Sequence, residues 1–382
     1  MSRDSQPVLP GSTIGILGGG QLGRMFAVAA RKMGYRVHTY EPSADSPSGQ
    51  VSDVEINRPY DDLKSLEKFA AGIDVLTYEF ENIPAAALDH LSSRVSLRPG
   101  RDVLYISQNR RREKEFLNGK GFPTAPFRIV ASRNELAAAA AALGAPAVLK
   151  TADFGYDGKG QQKLQAESDW NAVWKNHGDR AGVVEKWMDF AAELSVLVAR
   201  GGDGEVRCFP AGRNTHEHHI LATTEVPALF PEGVAQRAEE IATEIARALD
   251  LVGLLAIEFF LTRAGDLLVD ELAPRPHNSG HYSFDACVTS QFEQQLRAVC
   301  GLPLGETTLL QPVIMRNLLG DLWEKGVPDW ASLLAIPGLK LHLYGKNDPR
   351  PGRKMGHYCI LAPQLEQAHE REQKAWSILK RS

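Results

Sequence analysis

The sequence predicts an α/β and α+β protein of more than one domain, and two patterns support that prediction. Over roughly the first 100 residues, strand-like and helix-like segments alternate, which is typical of an open parallel sheet covered by helices. From residue 146 onward, β-rich segments are joined by short turns such as "GGDG", which is typical of antiparallel pairs. The 382 residues leave room for two or three domains with ample core.

The parallel unit opens with the stretch "GILGGGQLGRM", in which Gly18, Gly20 and Gly23 match the G-x-G-x-x-G pattern. Glu41 ends the next strand-like run, where dinucleotide-binding domains place a ribose-binding acid. Taken alone, this stretch indicates an NAD-dependent dehydrogenase. The unit is predicted to contain strands at 13–18, 35–40, 73–79 and 94–97 and helices at about 21–33, 61–71 and 84–92.

The middle of the chain changes from parallel to antiparallel patterning after a boundary at "RPGRD" (98–102). Ser132 and Glu135 form an S-x-x-E capping box before the Ala-rich helix 134–143. Further helices are predicted at about 107–120 and 232–249. Strands are predicted in "PAVLK", "GVVEKW", "ELSVLVAR", "EVRCFP", "LLAIEFFLT" and "DLLVDEL", and later in "KLHLYG" and "HYCILA" before a terminal helix.

Composition excludes several classes of protein. A net charge of −4 gives no general attraction to nucleic acid or to an anionic membrane, so any anion needs a local site. The four cysteines are widely spaced and contain no C-x-x-C pair, which indicates reduced thiols rather than disulfides or a zinc site. The polar start "MSRDSQPVLP" and the lack of an 18-residue apolar run predict a cytoplasmic protein without a secretion signal or membrane span.

The segment "KTADFGYDGKGQ" (150–161) is too rich in glycine for a strand. Gly155, Gly158 and Gly160 permit close approach of the backbone, and Lys150 ends the strand before them. Exposed N–H groups beside a lysine suit a polyphosphate, although the Walker A order is absent. A flexible hairpin tip with an incidental lysine remains the alternative.

A pair of carboxylates is predicted on neighbouring strands. If "LLAIEFFLT" and "DLLVDEL" form a hairpin with a loop from Arg263 to Asp266, Thr262 faces Leu267 and Glu258 lies opposite Glu271. Two carboxylates roughly 5 Å apart at Cβ repel by about 3 kcal/mol at an effective dielectric constant near 20. Such a pair favours a bound cation, and oxygen ligands that bridge to a phosphate suit Mg²⁺. A one-residue change of register, which would send one carboxylate to solvent, is the alternative.

The stretch "ELAPRPHNSGH" (271–281) leaves the second of these strands as a stiff loop, because its prolines cannot continue a ladder. Arg275 offers a fixed charge to an anion, while His277, Asn278 and His281 suit a polar heterocycle. Four polar groups beside a metal site indicate function, although a single histidine is usually structural.

Two further polar stretches are ambiguous. "HEHHI" (216–220) begins like a zinc-protease motif, but Ile220 occupies the position of the second histidine ligand, so a transition-metal cluster is only a minor alternative. "RPGRKMGH" (350–357) places Arg353 and Lys354 between glycines, which fits either an anion-binding loop or a solvated basic turn.

Taken together, these motifs resemble the ATP-grasp superfamily and, within it, the N5-carboxyaminoimidazole ribonucleotide synthetases of purine biosynthesis. The resemblance covers nearly the whole chain, since "GGGQLGRM", "TYEFENIP", "GYDGKGQ", "DELAPRPHNSGH" and "RPGRKMGH" occur in the family's order. It implies a Rossmann-like N-terminal domain (1–105), a central lid domain (106–184), an ATP-grasp body (185–310) and a C-terminal small domain or extension (311–382).

The resemblance also implies ATP and Mg²⁺ as cofactors, with Glu258 and Glu271 as metal ligands. Residues matching the family's ATP site are Arg110, Lys150, Gly155, Tyr156, Asp157, Gly158, Lys159, Gly160, Gln161, Glu185, Lys186, Trp187, Met188, Glu193, His216, Asp270 and Glu271. Lys186 and Trp187 stand where the family varies. Adenine would be held by the backbone of "EKWM" (185–188), and the ribose by Glu193.

The reaction implied is the joining of bicarbonate to the amine of aminoimidazole ribonucleotide through carboxyphosphate, with release of ADP and phosphate. Arg275, Tyr156, Asp157 and Lys354 are the candidate catalytic residues, with Arg275 on the carboxyphosphate. The ribonucleotide is expected to contact Gly20, Gln21, Leu22, Glu79, His277, Asn278, Arg353 and Lys354, with its 5′-phosphate between the first glycine loop and "RPGRK". A homodimer is expected.

Three other functions compete with this one. A formate-dependent transformylase of the same superfamily has a similar PRPH loop but lacks the continuation "NSGH". An NAD-dependent dehydrogenase leaves the paired glutamates without a role. A non-catalytic nucleotide sensor would not need the loop at 271–281.

Overall fold

A four-stranded parallel sheet begins the computed structural model, which describes residues 6–153 and 160–381. The strand order is β3-β2-β1-β4, and apolar side chains of β1 and α1 share one core. The elements are β1 (Thr13–Leu17), α1 (Gln21–Lys32), β2 (Arg36–Tyr40), β3 (Val54–Ile56), α2 (Leu63–Ala71), β4 (Val75–Tyr78) and α3 (Ala85–Ser92).

One strand predicted for this sheet is absent, and one observed strand was not predicted. The segment 94–97 forms only a single bridge, between Leu97 and Leu76, because Pro99 follows at once and cannot extend a ladder. The fourth strand is instead the three-residue β3, which is too short to show an alternating pattern.

A second, antiparallel sheet forms the central domain, with the order β5-β8-β6-β7. The predicted cap is confirmed, since the Ser132 side chain accepts a hydrogen bond from the N–H of Glu135 at 3.3 Å. The elements from the boundary onward are α4 (Arg101–Ser107), α5 (Arg110–Gly119), β5 (Phe127–Val130), α6 (Arg133–Leu143), β6 (Ala147–Thr151), β7 (Gln161–Leu164), α7 (Trp170–Asn176) and β8 (Gly182–Lys186).

A nine-stranded sheet forms the body, with the order β14-β13-β9-β11-β12-β15-β17-β16 and β10 paired to β9. Its elements in the first half are β9 (Phe190–Arg200), β10 (Val206–Cys208), β11 (Gly212–Glu217), β12 (Ile220–Val226), α8 (Val234–Ala248), β13 (Gly253–Thr262), β14 (Leu267–Ala273), α9 (Ser283–Ala286) and α10 (Gln291–Cys300). The remainder are β15 (Val313–Leu319), α11 (Trp330–Leu334), β16 (Leu339–Leu343), β17 (Lys354–Leu361) and α12 (Leu365–Arg381). The C-terminal strands therefore continue the sheet of the body.

Packing ties the sheets together. The central strands β9 and β13 are buried on both faces, with α8 against one face and α10 near the other. The apolar side of α10 also packs on α1, so that Phe292 and Leu296 complete the core of the N-terminal sheet. No helix among residues 6–153 and 160–381 is long and apolar enough to cross a membrane.

The β13–β14 hairpin has the predicted carboxylate pairing, but it reaches this pairing by a different register. Leu261, not Thr262, lies opposite Leu267, because Thr262 exchanges two hydrogen bonds with Asp266 in the turn. An irregularity in the ladder then leaves Asp270 as an extra residue, and Glu258 pairs with Glu271. The predicted loop is thus wrong by one residue, and a β-bulge restores the predicted pair.

Candidate active site

Glu258 and Glu271 occupy directly opposed positions on β13 and β14. Burial, and then repulsion by Glu271, raises the pKa of Glu258 to about 7. Burial also raises the pKa of Glu271, although Arg110, at 3.5 Å, lowers it in part. Among the described residues no cluster of three or more protein ligands for a metal occurs. A cation on this pair would therefore take its remaining ligands from substrate oxygens and water, as Mg²⁺ commonly does.

Lys150 and Arg110 supply positive charge beside the carboxylate pair. The Lys150 ammonium lies 3.0 Å from Glu185 and 3.2 Å from Asp270. Burial alone would lower the pKa of Lys150, but these carboxylates outweigh it and raise the pKa. Burial would likewise raise the pKa of Asp270, yet Lys150, Lys114 and Arg110 lower it to about 2. The structure thus brings Arg110, Lys150, Asp270 and the glutamate pair into one charged cluster.

The glycine-rich segment is only partly described. Gly160 accepts a hydrogen bond from the N–H of Thr151 at 2.9 Å, and Gln161 pairs with Lys150 across β6 and β7. The predicted site residues Gly155, Tyr156, Asp157, Gly158 and Lys159 lie outside the described residues.

The strand end predicted to hold adenine is partly occupied by the central domain itself. The N–H of Lys186 donates to Pro126 at 2.9 Å, and that of Trp187 donates to Pro146 at 3.2 Å. The Trp187 ring is exposed and carries the Lys163 ammonium 4.4 Å from its centroid. Glu185 is buried with its carboxylate on Lys150, so only its backbone can face a base.

Glu193 and His216 form a close pair on β9 and β11, with Nδ1 and Oε2 2.7 Å apart. Burial would lower the pKa of His216, but Glu193 and Glu258 outweigh it and raise the pKa. The next histidines, His218 and His219, are exposed in a turn and adopt positive φ values. The "HEHHI" stretch therefore contributes one histidine to the site rather than a metal cluster.

Arg275 and His277 face the same region from the loop after β14. The Arg275 guanidinium forms an ion pair with the carboxylate of Glu81, with Nε 2.7 Å from Oε1, and donates one hydrogen bond to Oε2 at 3.1 Å. His277 is held by its backbone N–H, which donates to Gln291 at 2.8 Å, and its Nδ1 lies 3.9 Å from Glu258. Burial and the nearby charges of Arg275 and Lys354 keep the pKa of His277 well below its usual value, so the ring is neutral.

The expected contact of the Asn278 side chain with substrate is not supported. Asn278 is buried and exchanges two amide hydrogen bonds with Asn317, at 2.9 and 2.7 Å. Both of its polar groups are therefore used to fasten the loop to β15.

The first glycine loop also differs from the prediction. The N–H groups of Gly20 and Gly23 donate to Glu79, the latter at 2.9 Å, and that of Gly19 donates to Glu41 at 2.9 Å. Burial raises the pKa of Glu79. The amide of Gly20 is thus not available to a phosphate, because a carboxylate of the same sheet already satisfies it.

Gln21 and Leu22 begin the first turn of α1, directly after the capped glycines. Their N–H groups are the first-turn donors for which the described part of the chain supplies no hydrogen-bond partner. The end of α1 therefore keeps a small donor site beside Glu79.

The loop between β16 and β17 (344–353), which contains most of "RPGRK", meets the N-terminal domain through Gly345 and Asn347. Gln50 donates to the carbonyl of Gly345 at 2.9 Å, and Asn347 donates to Asp45 at 3.1 Å. Within the loop, Arg353 donates to the carbonyl of Asp348 at 2.7 Å and keeps about a third of its side chain exposed. Lys354 begins β17 at the end of this loop, and its positive charge opposes protonation of both His216 and His277.

Sequence reasoning missed Glu81, Glu113 and Lys114. Glu81 lies within the quoted stretch "TYEFENIP" but was not singled out. Glu113 and Lys114 are buried on α5 at i+3 and i+4 from Arg110, and burial raises the pKa of Glu113 to about 8. The available signal was two charged residues on the face of a helix that also carries Leu117.

Family models match nearly all of this architecture. Residues 11–108 match the ribonucleotide synthetase preATP-grasp domain, 115–292 the ATP-grasp domain, and 313–371 the phosphoribosylaminoimidazole carboxylase C-terminal domain. With the cation and carboxylate cluster above, these matches define an ATP-grasp carbon–nitrogen ligase.

Comparison with individual proteins identifies the family within this class of ligases. The chain is 50% identical to the N5-carboxyaminoimidazole ribonucleotide synthase of Bacillus subtilis strain 168 over 93% of both chains, and 45% identical to that of Brucella melitensis over 94% of this chain and 99% of the other. The structure of an ADP complex of an N5-carboxyaminoimidazole ribonucleotide synthetase superposes with a TM-score of 0.93 at 45% identity, covering 99% of each chain.

A structure of the Aspergillus clavatus synthase in complex with ADP and 5-aminoimidazole ribonucleotide has a TM-score of 0.88 at 31% identity, covering 97% of this chain and 99% of the other. This chain belongs to the N5-carboxyaminoimidazole ribonucleotide synthase family. The NAD-dependent dehydrogenase interpretation of the first glycine motif is therefore wrong.

Proposed function

We propose that this chain uses ATP to carboxylate 5-aminoimidazole ribonucleotide with bicarbonate, giving N5-carboxyaminoimidazole ribonucleotide, ADP and phosphate. Family membership makes the chain an ATP-dependent carbon–nitrogen ligase of purine biosynthesis. The observation that carries the assignment is the cross-strand pair Glu258 and Glu271 beside Arg110 and Lys150. This arrangement suits a nucleotide whose phosphates are neutralised from both sides.

Mg²⁺ fits the glutamate pair. The two carboxylates repel each other when ionised, and burial, together with this repulsion, raises the pKa of Glu258. When bound, Mg²⁺ would draw charge from the ATP phosphates and lower the barrier to attack on the γ-phosphorus. Arg110 and Lys150 supply the fixed positive charge on the other side of the phosphates.

The nucleoside end of ATP is assigned to the junction of the central domain and the body. Because the amides of Lys186 and Trp187 are already used, Met188 and the carbonyl of Lys186 are the groups proposed to contact adenine. Glu193 would accept from the ribose hydroxyls, with His216 fixing its orientation at 2.7 Å.

Bicarbonate is a poor electrophile, so its oxygen first attacks the γ-phosphorus, which forms carboxyphosphate and releases ADP. Arg275 is the proposed anchor for this anion, since its side chain is only 14% exposed and the anion would compete with Glu81 for its guanidinium. The amine of the ribonucleotide then attacks the carboxyl carbon, phosphate leaves, and the ammonium loses a proton. The neutral ring of His277 accepts at Nδ1 from the N–H of Ser279, so its Nε2–H would donate a hydrogen bond to an oxygen of the substrate or intermediate.

The ribonucleotide is assigned to the region where three segments meet. Its 5′-phosphate is proposed to bind Arg353 and Lys354, and its sugar to run past the amides of Gln21 and Leu22. Glu79, fixed by the glycine amides, would then face the polar atoms of the substrate. This revises the expectation that the glycine loop itself binds the phosphate.

Phosphate release tests the proposal. ATP and bicarbonate with aminoimidazole ribonucleotide should give one phosphate per carboxylated product. ATP with formate and glycinamide ribonucleotide, the substrates expected of the transformylase alternative, should give none. Turnover in the second mixture but not in the first would overturn the assignment.

Glu271→Gln tests the proposed metal site in the same phosphate-release assay. The amide is nearly isosteric and removes repulsion, so the fold should survive, whereas phosphate release should fall by at least 100-fold, a few kcal/mol of transition-state stabilisation. Glu244→Gln, on the exposed face of α8, is the matched control and should retain full turnover. Near-normal turnover in Glu271→Gln would remove Glu271 from the metal site.

A homodimer and a cytoplasmic location remain predictions. Analytical ultracentrifugation of the purified chain tests the first, and cell fractionation tests the second.

A further inference from the structure

Two consecutive side chains of α5 are buried against the edge strand β14. The Lys114 ammonium donates to the carbonyl oxygens of Asp270 at 3.0 Å and of Val269 at 3.5 Å. The Glu113 carboxyl accepts from the N–H of Leu272 at 2.9 Å. Both side chains are almost fully removed from solvent, at 0% and 2% exposed.

These contacts fall at the place where β14 lacks a strand neighbour. β14 ends the nine-stranded sheet as it is described, so its outer N–H and C=O groups have no ladder partner. At the bulge around Asp270 the inner ladder is also interrupted. The segment before β5 satisfies one group, since Val269 donates to Pro123 at 2.8 Å, and α5 satisfies the groups that follow.

A buried lysine is a costly way to fill this space. Removing an ammonium from water costs several kcal/mol unless charges and hydrogen bonds compensate, and an apolar side chain would fill the volume without that cost. Lys114 is compensated by groups of the ATP site, because its Nζ lies 3.8 Å from the carboxylate of Glu185 and 4.0 Å from that of Asp270. Its charge is therefore linked to the groups that hold Lys150.

We propose that Glu113 and Lys114 are positioning residues that fix the bulge at Asp270, and thereby set Glu271 opposite Glu258 for the cation. The inference rests on the proposed function of that glutamate pair. Without the two α5 side chains, the bulge can slip by one residue, and a one-residue slip turns Glu271 to the other face of the strand.

Lys114→Met tests the lysine, because methionine has similar length and no charge. The Mg²⁺ concentration for half-maximal phosphate release should rise at least tenfold, while binding of ATP measured without metal changes less than threefold. Lys120→Met, on the exposed end of the same helix, is the matched control and should leave both quantities unchanged. A wild-type Mg²⁺ dependence in Lys114→Met would overturn the role of the lysine.

A matched pair at residue 113 keeps the inference testable if Lys114→Met does not fold. Glu113→Gln retains an oxygen acceptor for the N–H of Leu272, whereas Glu113→Met has nearly the same size without one. We expect a wild-type Mg²⁺ dependence in Glu113→Gln and a tenfold shift in Glu113→Met. Equal behaviour of the two variants would overturn the proposal.

Hydrogen exchange supplies a readout that does not depend on turnover. In the protein without nucleotide or metal, amides in 266–274 should exchange at least tenfold faster in Glu113→Met than in Glu113→Gln. Unchanged exchange in this segment would contradict the positioning role. The proposed function fails separately, if the wild type shows no Mg²⁺-dependent phosphate release or if Glu271→Gln remains active.

Discussion

Glu258 is the residue whose protonation should control the proposed cation site. Its pKa is raised from 4.5 to about 7 by burial and by Glu271, and Mg²⁺ requires the ionised form. The protonated form of Glu258 is favoured in the folded protein, so Glu258 contributes to the free energy of unfolding when it is protonated. This stabilisation is fully present below pH 4.5 and is lost as the pH rises through about 7. A bound cation reverses this, because it stabilises the ionised form.

The stability of the metal-free protein should therefore depend on pH. In excess chelator, the melting temperature should fall as the pH is raised from 5 to 8, and added Mg²⁺ should restore it most strongly above pH 7. Glu271→Gln should flatten the metal-free trend, since the main charged neighbour is gone. Melting curves over this range measure the effect, and Mg²⁺ stabilisation that is largest at pH 5 would contradict it.

Arg353 is one of the residues proposed to bind the 5′-phosphate of the ribonucleotide. Both Arg353 and Arg350 contact Asp348, but the Arg353 side chain is 32% exposed and lies next to Lys354, whereas the Arg350 side chain is 68% exposed. Arg353→Ala should raise KM for the ribonucleotide by tenfold or more and leave KM for ATP within twofold, because only one substrate carries the 5′-phosphate proposed here. Arg350→Ala is the control, and steady-state kinetics with both substrates distinguish them. Equal increases in both KM values for Arg353→Ala would place it elsewhere.

At the scale of elements, α10 holds the loop that carries Arg275 and His277. One amide, Gln291, accepts from the backbone N–H of His277 and donates to its carbonyl at 2.9 Å. Gln294, one turn further along the helix and equally buried, makes the same type of double contact to Gly305, away from the site. The helix therefore offers two similar amides with different expected roles.

Gln291→Glu should lower turnover by at least tenfold, because the new carboxylate must face the carbonyl of His277 and displaces the loop. Gln294→Glu should lower the melting temperature similarly, since it creates the same repulsion at Gly305, but should leave turnover per folded molecule near normal. Calorimetry and phosphate release on both variants make the comparison. A similar loss of turnover in the two would indicate a general loss of structure.

Elements with long periodic patterns could be predicted from the sequence, and features that depend on tertiary contacts could not. The opposition of Glu258 and Glu271 was predicted, but the bulge at Asp270 that produces it depends on α5 and has no signature in a strand pattern. The glycine loop was recognised as a helix start, whereas its partner Glu79 comes from β4 and a different part of the chain. Burial of Lys114 was likewise not predicted, since lysine is rarely buried without partners.

Across the whole molecule, the site lies where the N-terminal domain, the body and the "RPGRK" loop meet. Arg275 on the body pairs with Glu81 of the N-terminal domain, so the proposed anchor for carboxyphosphate is neutralised in this structure. We expect bicarbonate-dependent ATP hydrolysis to be slow until the ribonucleotide binds and competes for this contact.

Glu81→Gln tests that coupling. The uncharged amide holds the guanidinium less strongly, so phosphate release without ribonucleotide should rise at least fivefold relative to wild type, while the stimulation by ribonucleotide shrinks. Glu67→Gln, at an exposed ion pair of the same domain, serves as the control. Wild-type hydrolysis at one rate with and without ribonucleotide would refute the coupling.

The carboxylates of Glu41 and Glu79 on the glycine amides also determine which ligands the N-terminal sheet rejects. A pyrophosphate placed at this turn, as in a nicotinamide enzyme, would meet negative charge where it needs N–H donors. Each unit charge about 4 Å away, at an effective dielectric constant near 20, opposes it by about 4 kcal/mol, or roughly a thousandfold in affinity. The domain thus keeps the backbone of a dinucleotide-binding turn, while Glu41 and Glu79 occupy the N–H donors that a pyrophosphate would need.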